Sequence, residues 1–208
     1  MSDSLQSGQG RRRGGRTGEV VLIRHGQTEW SANGKHTSYT DLDLTPAGEE
    51  QAREAGRRLR DRRFAAVLSS PRKRALRTAE LAGLTVTEVT EDLAEWNYGE
   101  YEGITTAEIR RTRQPDWSLW TDGCPGGESP EQVGARLDRV LSRARELLAD
   151  GDVALVAHGH ALRVAGARWI GLPPKDGGLL KLDTATLSML GFEHEVDPVL
   201  TRWNAPCS

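Results

Sequence analysis

Cysteine is scarce in this chain, and so are long apolar runs and any excess of positive charge. Its two cysteines, Cys124 and Cys207, stand far apart with no metal-like spacing. That usage suits a reducing cytosol, and cytoplasm is the expected location. The formal net charge of -2 argues against nucleic acid as the main partner, because binders of the phosphate backbone carry a basic excess. No apolar stretch approaches the ~20 residues that span a bilayer, so no membrane partner is expected. The arginines near the N-terminus are followed by no apolar segment of the kind that follows the charges of a secretory signal, and none is expected. No internal repeat is visible.

What is present describes a globular protein. A length of 208 residues, with 37% hydrophobic and 28% charged, suits one domain with a sizeable core. Residues 1–18, rich in Gly, Ser, Gln and Arg, hold too little apolar surface to offset the entropy of ordering and are expected to form a disordered basic tail. Residues 19–208 form the expected domain.

Val20–Ile23 is a continuous apolar run, the pattern of a strand buried on both faces. It ends at Arg24-His25-Gly26. Residues 27–44 show no period and read as a long loop, a feature that is usually functional in a compact domain. Thr45-Pro46 opens a helix over 46–60. Residues 64–69 form a second strand, and a helix capped at Ser70 runs to Gly83. Residues 84–90 are β-rich, and 93–103 read as an ordered acidic loop. A short helix is expected over 105–112, a long one over 130–148, a strand over 153–157 and a helix over 161–170. Two closing strands follow at 184–192 and 199–203. Strands alternating with helices predict a three-layer α/β/α sandwich around a mostly parallel sheet.

Three predicted strands end in polar or ionisable groups, at Arg24-His25, at Ser69-Ser70 leading to Arg74, and at His158-Gly159. Parallel strands put these groups on one rim, where open α/β sheets bind ligands. Two arginines and two histidines near helix N-termini complement a phosphate dianion, which arginine grips through a planar fork of donors. Arg72 and Lys73 read as solvated side chains, whereas Arg74 lies beside core-facing positions. Glu95 would supply a proton donor. His158 and His160 would share one face of an extended segment, but a metal site normally adds ligands at readable spacings, and none follows. No metal and no cofactor is expected. Trp117 and Trp120 read either as core or as an apolar wall near Cys124.

Taken together, Arg24-His25-Gly26, Ser69 with Arg74-Ala75 and Thr78, Glu95 with Tyr98-Gly99 and Glu102-Gly103, and His158-Gly159 resemble the histidine phosphatase superfamily, whose members have the phosphoglycerate mutase-like fold. The resemblance covers about residues 19–204. It implies His25 as the nucleophile that forms a phosphohistidine, with Arg24, Arg74 and a cationic His158 around the phosphoryl oxygens. Glu95 would be the acid and then the base. Ser31, Thr37, Ser38, Tyr98 and Gly159 match positions that line the substrate pocket.

Two departures refine that expectation. Ser31 stands where many relatives carry asparagine. The segment between Gly103 and Gly126 lacks the long insertion of the mutases, and the adjacent Arg110 and Arg111 read as solvent-facing. Loss of that cover favours hydrolysis over transfer, so the expected activity is metal-independent hydrolysis of a small phosphorylated substrate. A sugar bisphosphatase, a mutase and a non-catalytic phospho-ligand binder are the alternatives. Assembly is left open, a homodimer included.

Overall fold

The computed structural model describes residues 18–207. All but the last residue of the expected tail therefore lies outside the described residues. Strands β1 (Val20–Arg24), β2 (Phe64–Ser69), β3 (Glu88–Val89), β4 (Asp152–Ala157), β5 (Leu187–Glu193) and β6 (Asp197–Ala205) form one sheet. Its order is β3-β2-β4-β1-β5-β6. The pairs β1–β4, β2–β4 and β2–β3 are parallel; β1–β5 and β5–β6 are antiparallel. The α-helices are α1 (Glu29–Ala32), α2 (Pro46–Leu59), α3 (Lys73–Leu81), α4 (Thr106–Thr112), α5 (Leu119–Asp122), α6 (Pro130–Leu147) and α7 (Gly159–Trp169).

The central strands are apolar on both sides because both sides are covered. Val21, Ile23, Val67, Ala154 and Val156 pack with Ala55 and Leu59 of α2 and Ala75 and Ala79 of α3. Val20, Leu22, Leu68 and Leu155 face the other way, onto Val133, Leu137 and Leu141 of α6 and Ala161 and Leu162 of α7. Alternation by two along each strand sends successive side chains into opposite layers. The outcome is the expected three-layer sandwich.

Four local expectations change. The helix expected from a cap at Ser70 begins at Lys73, with Arg72 as an N-cap that makes no side-chain capping bond. The stretch 27–44 contains a turn of helix, α1, because Thr28 and Ser31 form a reciprocal capping box. The strand expected over 84–90 shrinks to Glu88–Val89, since Thr87 turns its hydroxyl onto the Val67 backbone at 3.0 and 3.1 Å. That hydroxyl takes the place of a backbone partner. Helix α7 begins two residues early, with His158 as its N-cap. His158 and His160 consequently do not share the face of an extended segment.

Candidate active site

Parallel register places the site. Arg24 at the end of β1 lies opposite Ala157 of β4, and Ser69 at the end of β2 lies opposite Val156. The His25 amide continues the ladder to Ala157 O at 3.0 Å, and the Ser70 amide donates to Val156 O at 3.0 Å. His25, Ser70 and His158 therefore leave the sheet at one rim, and the His25 and His158 rings meet edge to face with centroids 5.1 Å apart.

A bare backbone crossing fixes where His25 turns. A Cβ on Gly26 would come within 2.2 Å of Gly48 O, and one on Gly48 within 2.1 Å of Gln27 O. Only two glycines let the start of α2 approach that closely. The Gly26 amide donates to Thr78 Oγ1 at 3.1 Å, which ties the turn to α3.

The His25 Nδ1 lies 2.7 Å from Gly26 O. A carbonyl only accepts, so Nδ1 carries the proton and the lone pair sits on Nε2. Burial, with Arg74 and Arg24 nearby, holds this imidazole well below its ordinary value of 6.5. His25 is a neutral imidazole with its lone pair on Nε2.

Arg74 is fully buried. Its Nε donates to His158 Nδ1 at 3.2 Å, Nη1 to Thr40 O at 3.1 Å, and Nη2 to Thr37 O and Ser38 O at 3.1 Å each. Four of its five N–H groups are engaged in these bonds, which leaves one on Nη1. Because Arg74 only donates, His158 Nδ1 must accept, and His158 Nε2–H donates to Ser70 Oγ at 2.7 Å. Burial and the Arg74 charge push His158 well below 6.5. The cationic His158 implied by the family resemblance is thus corrected: in this structure the ring is neutral.

Arg24 has a different environment. Its Nη1 bonds Leu182 O, while its buried Nε has no partner among the described residues. Gly159 makes room for it, since a Cβ there would lie 3.1 Å from the Arg24 Cζ. An unpaired buried N–H of a cation is costly and asks for an anion.

Glu95 sits at the start of α7. Its Oε1 accepts from the amides of Trp96 and Ala161 at 2.9 Å, and Oε2 from the His160 amide at 3.1 Å. Its loop is fastened from behind by Arg136, which donates to the Asp92 and Ala94 carbonyls at 2.9 and 2.7 Å and pairs with Glu128. Glu128 in turn accepts from the Asn97 amide at 2.9 Å. The acidic loop is ordered because a buried arginine gathers its carbonyls.

Of the residues expected from sequence, Arg24, His25, Ser31, Thr37, Glu95, Tyr98 and Gly159 line one cavity of about 210 Å³. Arg74, His158 and Ser38 are not on its lining and lie beneath it, Ser38 with only 2% exposed. Ser31 reaches the cavity but spends its hydroxyl on the Thr28 backbone. The Ser38 hydroxyl leans on Glu95 O at 3.5 Å.

The cavity also takes in Lys35, His36, Thr106, His160 and Arg163, none of which was assigned a substrate-binding role from sequence. Tyr98 OH and His160 Nδ1 share a 2.6 Å hydrogen bond. Burial drives His160 well below 6.5, lowers His36 to about 4 and raises Tyr98 well above 10. Helical spacing was the one available signal for Arg163, which lies four residues past Gly159 and three past His160, on one face of α7. Trp117 is core, and Trp120 stands behind the cavity, 5.3 Å from His160 with the Arg163 guanidinium 4.5 Å above it. Neither tryptophan lines the cavity, and nor does Cys124. Arg72, expected to be solvated, instead pairs with Glu91 at 3.1 Å and stacks on Tyr39 at 5.0 Å. Among the described residues no group of three or more His, Cys, Asp or Glu is arranged to hold a metal ion, and no helix is long and apolar enough to cross a membrane.

Residues 20–206 match the family model of the histidine phosphatase superfamily (branch 1). The chain is 47% identical over 185 residues to an acid phosphatase of Mycobacterium tuberculosis, covering 88% of this chain and 91% of the relative. It is 39% identical over 186 residues to the sedoheptulose 1,7-bisphosphatase of Saccharomyces cerevisiae, covering 75% and 69%. The solved structure of an open reading frame of Mycobacterium tuberculosis superposes with a TM-score of 0.89 at 44% identity, covering 93% of this chain and all of the other. A mycobacterial glucosyl-3-phosphoglycerate phosphatase in complex with VO3 superposes at 0.77 with 30% identity, covering 90% and 98%. The chain belongs to the histidine phosphatase superfamily. It is a phosphatase, and its substrates are small phosphorylated molecules.

Proposed function

We propose that this phosphatase hydrolyses phosphomonoesters without a metal, through a phosphohistidine on His25. The observation that carries the reading is the His25 tautomer: Nδ1–H is tied to Gly26 O at 2.7 Å, so Nε2 offers its lone pair to phosphorus. In the first step the Nε2–P bond forms and the ester P–O bond breaks, with the Glu95 carboxyl proton passing to the leaving oxygen. Water then attacks phosphorus, Glu95 takes its proton, and phosphate departs with His25 restored. The unpaired Arg24 Nε–H faces the charge on the phosphoryl oxygens, and Arg74 adds its positive charge from beneath the pocket. Tyr98, Thr37 and Gly159 shape the pocket, and Ser31 and Ser38 act through the backbone they hold.

Rapid acid or alkali quench of the enzyme with a labelled aryl phosphate in excess chelator tests this. An alkali-stable phosphoenzyme should form and vanish in His25→Ala. Undiminished turnover in that variant would remove the nucleophile.

A second reading concerns the ester's remaining part. Lys35 at the rim and Arg163 on the wall are additional cations lining the cavity, and they favour substrates bearing a second anionic group, such as a sugar bisphosphate. The two free, widely separated thiols support a cytoplasmic site of action.

A further inference from the structure

We propose that Glu102 is a positioning residue for the reaction, its carboxylate setting the 37–40 loop whose carbonyls aim Arg74. The inference rests on the reading that Arg74 and His158 serve the phosphoryl group. Glu102 Oε1 accepts from the Ser38 and Thr40 amides at 2.9 and 3.1 Å, and Oε2 from Ser38 at 2.9 Å. The same short loop turns the Thr37, Ser38 and Thr40 carbonyls onto Arg74, each at 3.1 Å. With its amides taken by one carboxylate and its carbonyls by one guanidinium, the loop is a rigid spacer between an anion and a cation.

The Glu102 side is itself anchored. The Gly103 amide donates to His36 O at 2.8 Å and the His36 amide to Ile104 O at 3.0 Å, and Lys35 bridges Thr105. Arg74 passes the constraint on through Nε to His158 Nδ1, whose ring lies against His25. Glu102 is not on the cavity lining, so it acts only through others. A carboxylate is required because the loop presents amide donors alone. A glutamine in its place keeps one acceptor and aims an N–H at a donor.

The test is a double-mutant cycle in the full chain, read as turnover of an aryl phosphate in chelator, with Glu102→Gln, Arg74→Lys and the double variant. Because a small misplacement of a catalytic group is costly, Glu102→Gln should lower kcat roughly tenfold or more. If Glu102 works through Arg74, the double variant should fall within about threefold of Arg74→Lys alone. Glu102→Asp, which keeps two acceptors, should recover much of the loss, and it carries the cycle if Glu102→Gln does not fold. Asp138→Asn, which breaks a distant pair with Arg168, should lower the melting temperature without moving kcat. Losses that multiply in the double variant, or unchanged kcat in Glu102→Gln beside an impaired Arg74→Lys, would overturn the proposal. Unchanged kcat in Arg74→Lys would instead remove the reading of Arg74 on which it rests.

Discussion

Arg74 Nε donates to His158 Nδ1 at 3.2 Å, with both side chains fully buried. A donor-only cation against an imidazole nitrogen dictates the tautomer and keeps the ring neutral. Burial is the main cause that lowers both site histidines, and the charge of the same arginine adds to the shift in each. Acid would have to protonate His25 against that charge before the nucleophile was lost. The base form thereby persists below pH 6.5, which suits a phosphatase working in mild acid.

Stability should pay for that arrangement on the acid side. His25, His158 and His160 are held well below 6.5 and His36 at about 4. A folded value below the unfolded one means that the unfolded chain binds more protons as pH falls under 6.5. Each such histidine then contributes a slope of about 1.4 kcal/mol per pH unit, favouring the folded state at higher pH. Urea midpoints should fall steadily from pH 7 to about 4, and the His36→Gln variant should show a shallower decline. A flat profile would contradict neutral buried histidines.

Glu95→Gln should separate substrates by leaving group. A phenolate with a low pKa departs without a proton, whereas an alkoxide needs one. The variant should lose roughly a hundredfold or more on alkyl phosphates and less on the formation of phosphoenzyme from an activated aryl phosphate. Pre-steady-state bursts on the two classes measure this, and equal losses on both would remove Glu95 as the acid.

Gly159→Ala places a Cβ 3.1 Å from the Arg24 Cζ. The guanidinium must shift and its Nε–H loses its aim, so inhibition by inorganic phosphate or vanadate should weaken by roughly tenfold. Inhibition constants decide, with the melting temperature as a control for folding.

Arg163→Met keeps the apolar stem over Trp120 and removes the charge. If the distal cations hold a second anion, KM for a sugar bisphosphate should rise roughly tenfold, while KM for an aryl phosphate stays near its wild-type value. Parallel kinetics on the two substrates would show it. Equal effects on both would leave Arg163 a structural role through its bonds to Gly177 O and Gly178 O at 3.0 and 2.9 Å.

Much of the molecule was legible in the chain alone. Continuous apolar runs at Val20–Ile23 and Val153–Ala157, alternating with helical periods, determined a parallel sheet covered on both faces. The order β3-β2-β4-β1-β5-β6 was not readable from that pattern, but parallel strands put the groups that follow them on one edge, the rim where Arg24, His25, Ser70 and His158 meet. Those features are local or periodic, and periodicity is a property that a sequence displays.

Tertiary structure decided what depends on partners distant in the chain. That His158 is neutral follows from Arg74, 84 residues away, donating to its ring. That Arg74 lies under the cavity while Arg24 keeps an open Nε–H follows from which carbonyls the 37–40 loop and Leu182 bring to each. Lys35 and His36 join the site because a loop with no readable period folds over the rim, and Arg163 joins it because α7 starts at that rim. Protonation, exposure and the unspent donors of a site are sums over neighbours in space, and only the folded chain specifies those neighbours.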